Sequence, residues 1–175
     1  IAQVEAMPQW MGHSIPCRTP GDLLAGQALL SDSGECEWVL KRAFSTAGSG
    51  LTPLAADELA TLASRPFSSA VVAEGGILLE SRHDRVFDFS VQYRLDGGAM
   101  RFVGFVEQQI AGLGGYRGSV CRTKFCKGLD AELAQFLMEQ CLPIYDADRC
   151  LAADVAAWAG AGGYEGPLGV DAYVY

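Results

Sequence analysis

The stretch EWVLKRAFSTAGSGLTPL, residues 37–54, joins a short apolar run to a loop of very small residues. The run at 37–44 predicts a β-strand, and this strand carries Lys41 up to the loop. Backbone N–H groups of such a loop can line a concave nest for an anion, and an adjoining lysine adds a compact positive charge. The alternative is a tight turn beside a solvated lysine. The pattern is not a Walker loop, because the lysine precedes the glycines.

Length, composition and charge limit the kind of domain that the chain can form and the partners that it can bind. The chain has 175 residues, of which 50% are hydrophobic and 19% charged, enough for one domain or two closely packed lobes. The formal net charge is −8, and the 13 Lys and Arg residues are scattered. Because phosphate neutralisation on a duplex needs clustered basic residues, no nucleic-acid partner is expected. A single small polyanion needs only a local positive pocket, so it stays open as a ligand.

Cysteine usage and hydropathy favour a cytoplasmic protein. Six cysteines stand at irregular spacings without a CxxC pair, which indicates reduced thiols rather than a disulfide framework or a zinc site. No apolar run reaches about 18 residues, so neither a membrane span nor a membrane partner is expected. The chain opens on Ile and closes on GVDAYVY, and we expect both ends to be cuts within a longer sequence.

Hydrophobic spacing and turn residues predict an α+β fold. Helices are expected within residues 15–32, 55–65, 130–142 and 147–159. Strands are expected at 37–44, 75–81, 85–95 and 99–110 and at the end of 162–175, with DGG (96–98) as a hairpin turn. In this order the strands are mostly joined as hairpins rather than as a parallel βαβ series.

Three carboxylates are candidate site residues. Glu80 closes the apolar run GGILLE, where a desolvated acid needs a partner; it either bonds backbone N–H groups or lies at the rim of a ligand cleft. Asp88 shares one strand face with Ser90 and Gln92, a pattern that by itself indicates the solvent side. Asp171 lies in an apolar strand. Magnesium on nucleotide phosphates takes only one or two protein carboxylates, so Asp171 is either such a ligand or an edge-strand aspartate.

The order of these features along residues 10–175 resembles the ATP-grasp superfamily, whose members hold ATP between two α+β lobes. WVLK and STAGSGL resemble the strand lysine and the flexible glycine-rich loop of that family, and ILLE (77–80) resembles the strand linking the lobes. DFSVQY (88–93) is similar to the acid-x-Ser/Thr element after the linker. RFVGF…GGYRGS (101–119) resembles a hairpin return and loop of uncharacterised bacterial members, and GYEGPLGVDAYVY (163–175) resembles the strand with the first metal-binding acid.

The resemblance implies an ATP-grasp-like α+β fold with two lobes of antiparallel sheets and a nucleotide cleft between them. Residues 1–78 are expected to form the lobe with the strand lysine and the phosphate loop. Residues 79–175 are expected to form the lobe with the adenine, ribose and metal side of the cleft. The implied cofactors are ATP and Mg²⁺, with Asp171 as metal ligand, Asp88 on the ribose and Glu80 in contact with the adenine. The full set of implied nucleotide-binding residues is Lys41, Ser45, Thr46, Ala47, Gly48, Ser49, Gly50, Leu79, Glu80 and Asp88.

The resemblance also implies a reaction, the ATP-dependent ligation of a carboxylate to an amine or a thiol through an acylphosphate. The expected partner is a small-molecule or peptide carboxylate, whose charge Arg85 or Arg117 could face. Relatives usually carry a second phosphate lysine upstream of Ile1 and an acid-x-Asn on the strand after Asp171, and this sequence includes neither. Two alternatives stay open: a non-catalytic nucleotide-binding or protein-interaction module with the same fold, and an unrelated α+β domain whose glycine loops are turns.

Overall fold

The computed structural model describes residues 14–31, 37–42, 50–112, 114–145 and 150–175. Within them the strands are β1 (Ser14–Cys17), β2 (Trp38–Arg42), β3 (Leu51–Leu54), β4 (Ile77–Ser81), β5 (Phe87–Asp96), β6 (Ala99–Ala111), β7 (Gly115–Val120) and β8 (Gly166–Val174). The α-helices are α1 (Pro20–Ser31), α2 (Ala56–Ala63), α3 (Ser69–Ala73), α4 (Ala131–Phe136) and α5 (Cys150–Ala161). A π-helical turn (Leu137–Cys141) and a 3₁₀ turn (Leu142–Tyr145) follow α4. No helix in these ranges is long and apolar enough to cross a membrane.

The strands form two four-stranded sheets, ordered β1-β4-β2-β3 and β7-β6-β5-β8. Strand β4 pairs antiparallel with β1 and β2, β2 with β3, and β5 with both β6 and β8. The predicted α+β class is therefore confirmed. The chain divides into two compact units, the first comprising 1–84 and 111–116 and the second 85–110 and 117–175. The boundary expected at 78/79 falls inside β4, which belongs wholly to the first unit.

In the first unit, α1 and α2 cover one face of the sheet. Side chains alternate along β4, so Leu79 is fully buried under the helices while Leu78 and Glu80 lie half-buried on the other face. Each fully buried leucine contributes roughly 1.5–3 kcal/mol through burial, so packing on the helix-covered face contributes substantially to the stability of this unit. The opposite face carries both apolar and polar side chains, among them Leu78 and Glu80. The buried cluster consists of Cys17, Leu23, Leu30, Trp38, Leu40, Leu59, Ile77 and Leu79.

The start of α1 follows the sequence prediction. Pro20 suits the first turn because the N–H that proline lacks would have no partner within the helix. The carboxylate of Asp22 accepts hydrogen bonds from the backbone N–H groups of Arg18 and Thr19, each at 2.8 Å. An acid in the first turn thus reaches back to satisfy donors that the helix itself leaves unpaired.

In the second unit, β5 runs through the centre of the core. Phe89, Val91 and Tyr93 project from one face of this strand and are almost completely buried. They pack with Leu137, and Phe125 contributes a ring that lies 5.9 Å from that of Phe89. The residues between them on β5 form the opposite face of the sheet, because successive side chains alternate along a strand.

The helix expected at 130–142 is divided into three segments. It begins as predicted at Asp130, whose carboxylate accepts from the N–H of Glu132 at 2.9 Å. At Leu137 the backbone passes into the π-helical turn, and the 3₁₀ turn that follows contains Pro143. At the first change of pitch, Leu137 is fully buried in the core cluster. At the second, Pro143 cannot continue an α-helix. Periodicity located the segment but did not indicate its internal change of pitch.

Strands β1, β3 and β7 are missing from the sequence prediction. β1 and β3 are four residues long and contain Pro16 and Pro53, and a proline counts against a strand in sequence. Both are edge strands, where proline is tolerated because one side of the strand makes no ladder hydrogen bonds. β7 is also an edge strand, and its two glycines favoured a loop.

Candidate functional site

The strand lysine of the first unit is ion-paired with Glu80. β2 and β4 are antiparallel neighbours in which Val39 lies opposite Glu80 and Lys41 opposite Leu78. Lys41 and Glu80 are therefore diagonal neighbours on the sheet face that the helices do not cover. Nζ of Lys41 contacts Oε2 of Glu80, with the two side chains 28% and 13% exposed. The sequence placed these two residues in one site, and the structure brings them together.

Ser14 completes this arrangement from a third strand. It lies opposite Glu80 in the β1–β4 pairing, and its Oγ donates to Oε1 of Glu80 at 2.7 Å. Both carboxylate oxygens are thus held by protein groups, one by Ser14 and the other by Lys41. Sequence reasoning missed Ser14, because a hydroxyl at the start of the short run SIPC gives no signal of its own.

The small-residue segment connects β2 to β3 beside Lys41. Residues 43–49, which include the candidates Ser45, Thr46, Ala47, Gly48 and Ser49, lie outside the described residues. Gly50 is described, and its carbonyl accepts from the N–H of Arg42 at 3.2 Å. Lys41 lies opposite Leu51 in the β2–β3 pairing, so the two described residues that flank the segment, Arg42 and Gly50, lie next to the lysine in the chain and in the sheet.

Leu79 does not share the face that carries Glu80. Its side chain is fully buried in the helix-covered core, and its backbone lies between Ile15 of β1 and Leu40 of β2. A ligand on the face that carries Glu80 would therefore meet the neighbouring side chains of β4 rather than that of Leu79.

In the second unit, Asp88 is engaged by Arg85. The carboxylate Oδ1 accepts from a guanidinium N–H at 2.8 Å, and the guanidinium carbon lies 4.3 Å from the centre of the Tyr173 ring. Tyr173 is the β8 partner of Asp88, so all three side chains lie on one face. A cation over an aromatic ring contributes about 0.5–1 kcal/mol at an exposed site, which helps to keep Arg85 beside Asp88. Arg117, the other candidate for a substrate anion, lies exposed on β7.

Asp171 belongs to the same sheet face and is held by Gln108. Asp171 pairs with Ser90 across β5 and β8, and Nε2 of Gln108 on β6 donates to its Oδ1 at 2.8 Å. Ser90 is buried; it accepts from Nε2 of Gln92 at 2.8 Å and donates to the Val170 carbonyl at 3.4 Å. The sequence indicated the polar positions on β5, but not the contribution from β6.

The carboxylate of Asp171 could supply one oxygen ligand to a Mg²⁺ ion that is also held by nucleotide phosphates. Among the described residues no three His, Cys, Asp or Glu side chains lie close enough to form a metal cage. Mg²⁺ on a nucleotide does not require a cage, since it takes one or two carboxylates and completes its shell with phosphate oxygens and water. Asp171 is exposed on its strand, so it can supply one such oxygen.

No protein-family model matches the chain, and no curated protein is significantly similar to it. Two separate groups of side chains are therefore the candidates, each within its own unit: Ser14, Lys41 and Glu80 in the first unit, and the polar side chains around Asp88 and Asp171 in the second.

Proposed function

We propose that this chain is an ATP-grasp-like nucleotide-binding domain that acts as an ATP-dependent carboxylate–amine or carboxylate–thiol ligase. The observation that carries the proposal is Lys41, which pairs with Glu80 on the sheet face opposite α1 and α2 and lies four residues before the small-residue run STAGSG (45–50). The proposed substrate besides ATP is a small-molecule or peptide carboxylate.

Lys41 is well placed to bind a phosphate. The chain as a whole is acidic, with a net charge of −8, so a polyanion needs a local cation to overcome the general repulsion. Lys41 provides that cation and is the more exposed member of its ion pair, at 28% against 13% for Glu80. An ammonium has three donor hydrogens, so pairing with Glu80 leaves donors for a ligand. The adjoining small residues would let backbone N–H groups approach the same phosphates.

The second unit supplies the other groups that the proposal requires. Asp88 is the proposed acceptor for ribose hydroxyls, and ribose binding there would compete with Arg85 for the carboxylate, since Arg85 donates to it at 2.8 Å. Asp171, oriented by Gln108, is the proposed Mg²⁺ ligand. When bound, Mg²⁺ would neutralise charge on the phosphates. Free thiols at Cys17, Cys121, Cys126 and Cys141 agree with the proposed cytoplasmic, reducing location.

The proposed reaction has two steps. A substrate carboxylate oxygen attacks the γ-phosphorus of ATP, which breaks the bond to the bridging oxygen, releases ADP and forms an acylphosphate. The amine or thiol then attacks the acyl carbon and releases inorganic phosphate, so the product is an amide or a thioester. The chain's part in these steps is to position the phosphates and stabilise their charge, with Lys41 and the loop amides as the donors.

Nucleotide binding tests the proposal directly. Titration calorimetry would compare ATP binding to the wild-type chain and to Lys41→Met, with Lys127→Met as the control, because Lys127 is an exposed lysine of the second unit. One charge-assisted contact is worth about 1.5–3 kcal/mol, so Lys41→Met is expected to weaken binding about tenfold to a hundredfold and Lys127→Met to leave it unchanged. Failure of the wild-type chain to bind any nucleoside triphosphate would overturn the proposal.

Turnover distinguishes the ligase from a binding module. The wild-type chain would be incubated with ATP, Mg²⁺ and mixtures of carboxylates and amines or thiols, and ADP and phosphate release would be followed. Release that depends on both added substrates supports the ligase. Binding of ATP without any release supports a module that keeps the nucleotide site and does no chemistry.

A further inference from the structure

We infer that Glu80, itself held by Ser14, is a positioning residue for Lys41 and does not read the nucleotide base. The inference rests on the proposed function and assigns a role within the same site. It departs from the role that the resemblance implies for Glu80, which is contact with adenine.

The hydrogen bonds of Glu80 are the first reason. Oε1 accepts from Ser14 at 2.7 Å and Oε2 is paired with Lys41, so each carboxylate oxygen already has a donor from the sheet. A base-reading acid needs an oxygen turned toward the ligand to accept from an exocyclic amine. At 13% exposure, the Glu80 side chain presents little surface for that purpose.

The strand order is the second reason. β4 lies between β1 and β2, so the backbone of Glu80 is fixed on both sides, and Ser14 and Lys41 come from those two flanking strands. A lysine side chain carries about 2 kcal/mol of rotamer entropy that a ligand must otherwise overcome. A carboxylate fixed from both sides removes much of that freedom before any phosphate arrives, which is the physical benefit of preorganisation.

The two roles predict different results for Glu80→Gln. If Glu80 positions Lys41, the substitution weakens every ligand that carries the phosphates, whatever its base. If Glu80 reads adenine, the substitution weakens ATP selectively. The direction of the change in affinity is informative as well. Removing a negative charge close to phosphates favours anion binding by itself, so a loss of affinity in Glu80→Gln cannot come from the charge change.

The experiment measures the binding of three ligands by titration calorimetry: ATP, GTP and inorganic tripolyphosphate, which has no base. Glu80→Gln is expected to weaken all three by a common factor of about three- to tenfold, part of the cost of ordering a free lysine. Ser14→Ala, which keeps both charges, is expected to weaken all three by a smaller common factor. Glu37→Gln is the matched control, because Glu37 has the same charge in the same unit but pairs with Arg82 at 2.7 Å.

A double substitution identifies the residue through which Glu80 acts. In the Lys41→Met background, Glu80→Gln is expected to cause no further loss of affinity for any of the three ligands, because the lysine that it positions is already absent. A merely structural role would lower affinity again in that background, since damage to the sheet would not depend on Lys41. Ser14→Ala offers the same comparison if Glu80→Gln fails to fold.

Three results would overturn the inference. One is a loss confined to ATP with tripolyphosphate binding unchanged, and another is unchanged or tighter binding of all three ligands by Glu80→Gln. The third is an undiminished effect of Glu80→Gln when Lys41 is already methionine. These outcomes differ from failure of the proposed function, in which the wild-type chain binds none of the three ligands.

Discussion

Gln108 on β6 donates a hydrogen bond from Nε2 to Oδ1 of Asp171 on β8, at 2.8 Å. The two strands flank β5, so the amide reaches across one strand to hold a carboxylate. Side chains on the same sheet face two strands apart rarely meet unless one of them is long, as glutamine is. The bond restricts the rotamers of an exposed aspartate and leaves its second oxygen to other partners.

Replacing Gln108 is expected to weaken metal binding without abolishing it. Groups that hold a metal ligand typically affect affinity about tenfold or more, so Gln108→Ala should reduce Mn²⁺ affinity of the ATP complex about tenfold. Asp171→Asn should weaken this binding more than Gln108→Ala does, because it replaces the charged ligand itself and leaves the ion to the phosphate oxygens and water. Electron paramagnetic resonance of free Mn²⁺ measures both. Gln109→Ala is the control, because the next residue on a strand points to the opposite face; an equal loss in that control would count against the role of Gln108.

Gly169 is expected to be intolerant of a methyl group. An added Cβ would lie 3.2 Å from Nε2 of Gln92 and 3.2 Å from Oγ of Ser90, and those two side chains are hydrogen-bonded to each other. Gly169→Ala must displace at least one of them, and overpacking of this kind costs about 1 kcal/mol or more. The measurement is the midpoint of thermal unfolding, which should fall.

Gly104 provides the matched comparison for Gly169. It lies opposite Gln92 on the other side of β5, but a Cβ there would meet no atom within 4 Å. Gly104→Ala should raise the free energy of unfolding by about 0.4–1 kcal/mol, because alanine reduces the entropy of the unfolded chain. A similar fall in both variants would show that the Gln92–Ser90 contact does not decide the outcome.

Elements with a repeating pattern or a specific boundary residue could be predicted from sequence. The strand bearing Lys41 was identified by its apolar run, and the DGG turn correctly located the β5–β6 hairpin. Asp130 caps α4 as expected. Such signals are local, so they can be recognised without knowing which residues pack against the element.

Elements that depend on distant partners could not be predicted. β1 and β3 contain prolines and are strands only because they lie at sheet edges, a property that sequence does not reveal. The same limitation applied to the site. Ser14 and Glu80 are separated by 66 residues, and only the β1–β4 register makes them neighbours. The sequence thus supplied the charged residues but not the hydroxyl and amide that hold them.

Asp22 is expected to make stability depend on pH. Hydrogen bonds from the backbone N–H groups of Thr19 and Arg18 lower the pKa of the Asp22 carboxyl below its ordinary value of 3.8. A pKa that is lower in the folded state adds stability above the unfolded pKa, and this stability is lost as pH falls through the folded value. Asp22→Ala should therefore lower the free energy of unfolding by about 1 kcal/mol at pH 7, with the difference shrinking below about pH 4.

Urea unfolding at neutral and acidic pH measures this effect. Asp57→Ala is the control, since Asp57 also places a carboxylate in the first turn of a helix of the same unit. The control separates the charge at a helix start from the two hydrogen bonds of Asp22. A difference between wild type and Asp22→Ala that persists unchanged at pH 2 would contradict the assignment.

Cys17 is expected to resist alkylation in the folded chain. Its side chain is fully buried, and burial, with a further contribution from the charge of Asp22, raises the pKa of the thiol to about 11. At pH 8 only about one thiol in a thousand would be ionised, and the thiolate is the reactive form.

Iodoacetamide should modify the exposed Cys121 within minutes and Cys17 only after urea is added, as peptide mass spectrometry would show. Cys121→Ser should leave the protection of Cys17 unchanged, because the two cysteines belong to different units. Rapid labelling of Cys17 without urea would mean that the core between α1 and its sheet opens far more often than its burial indicates.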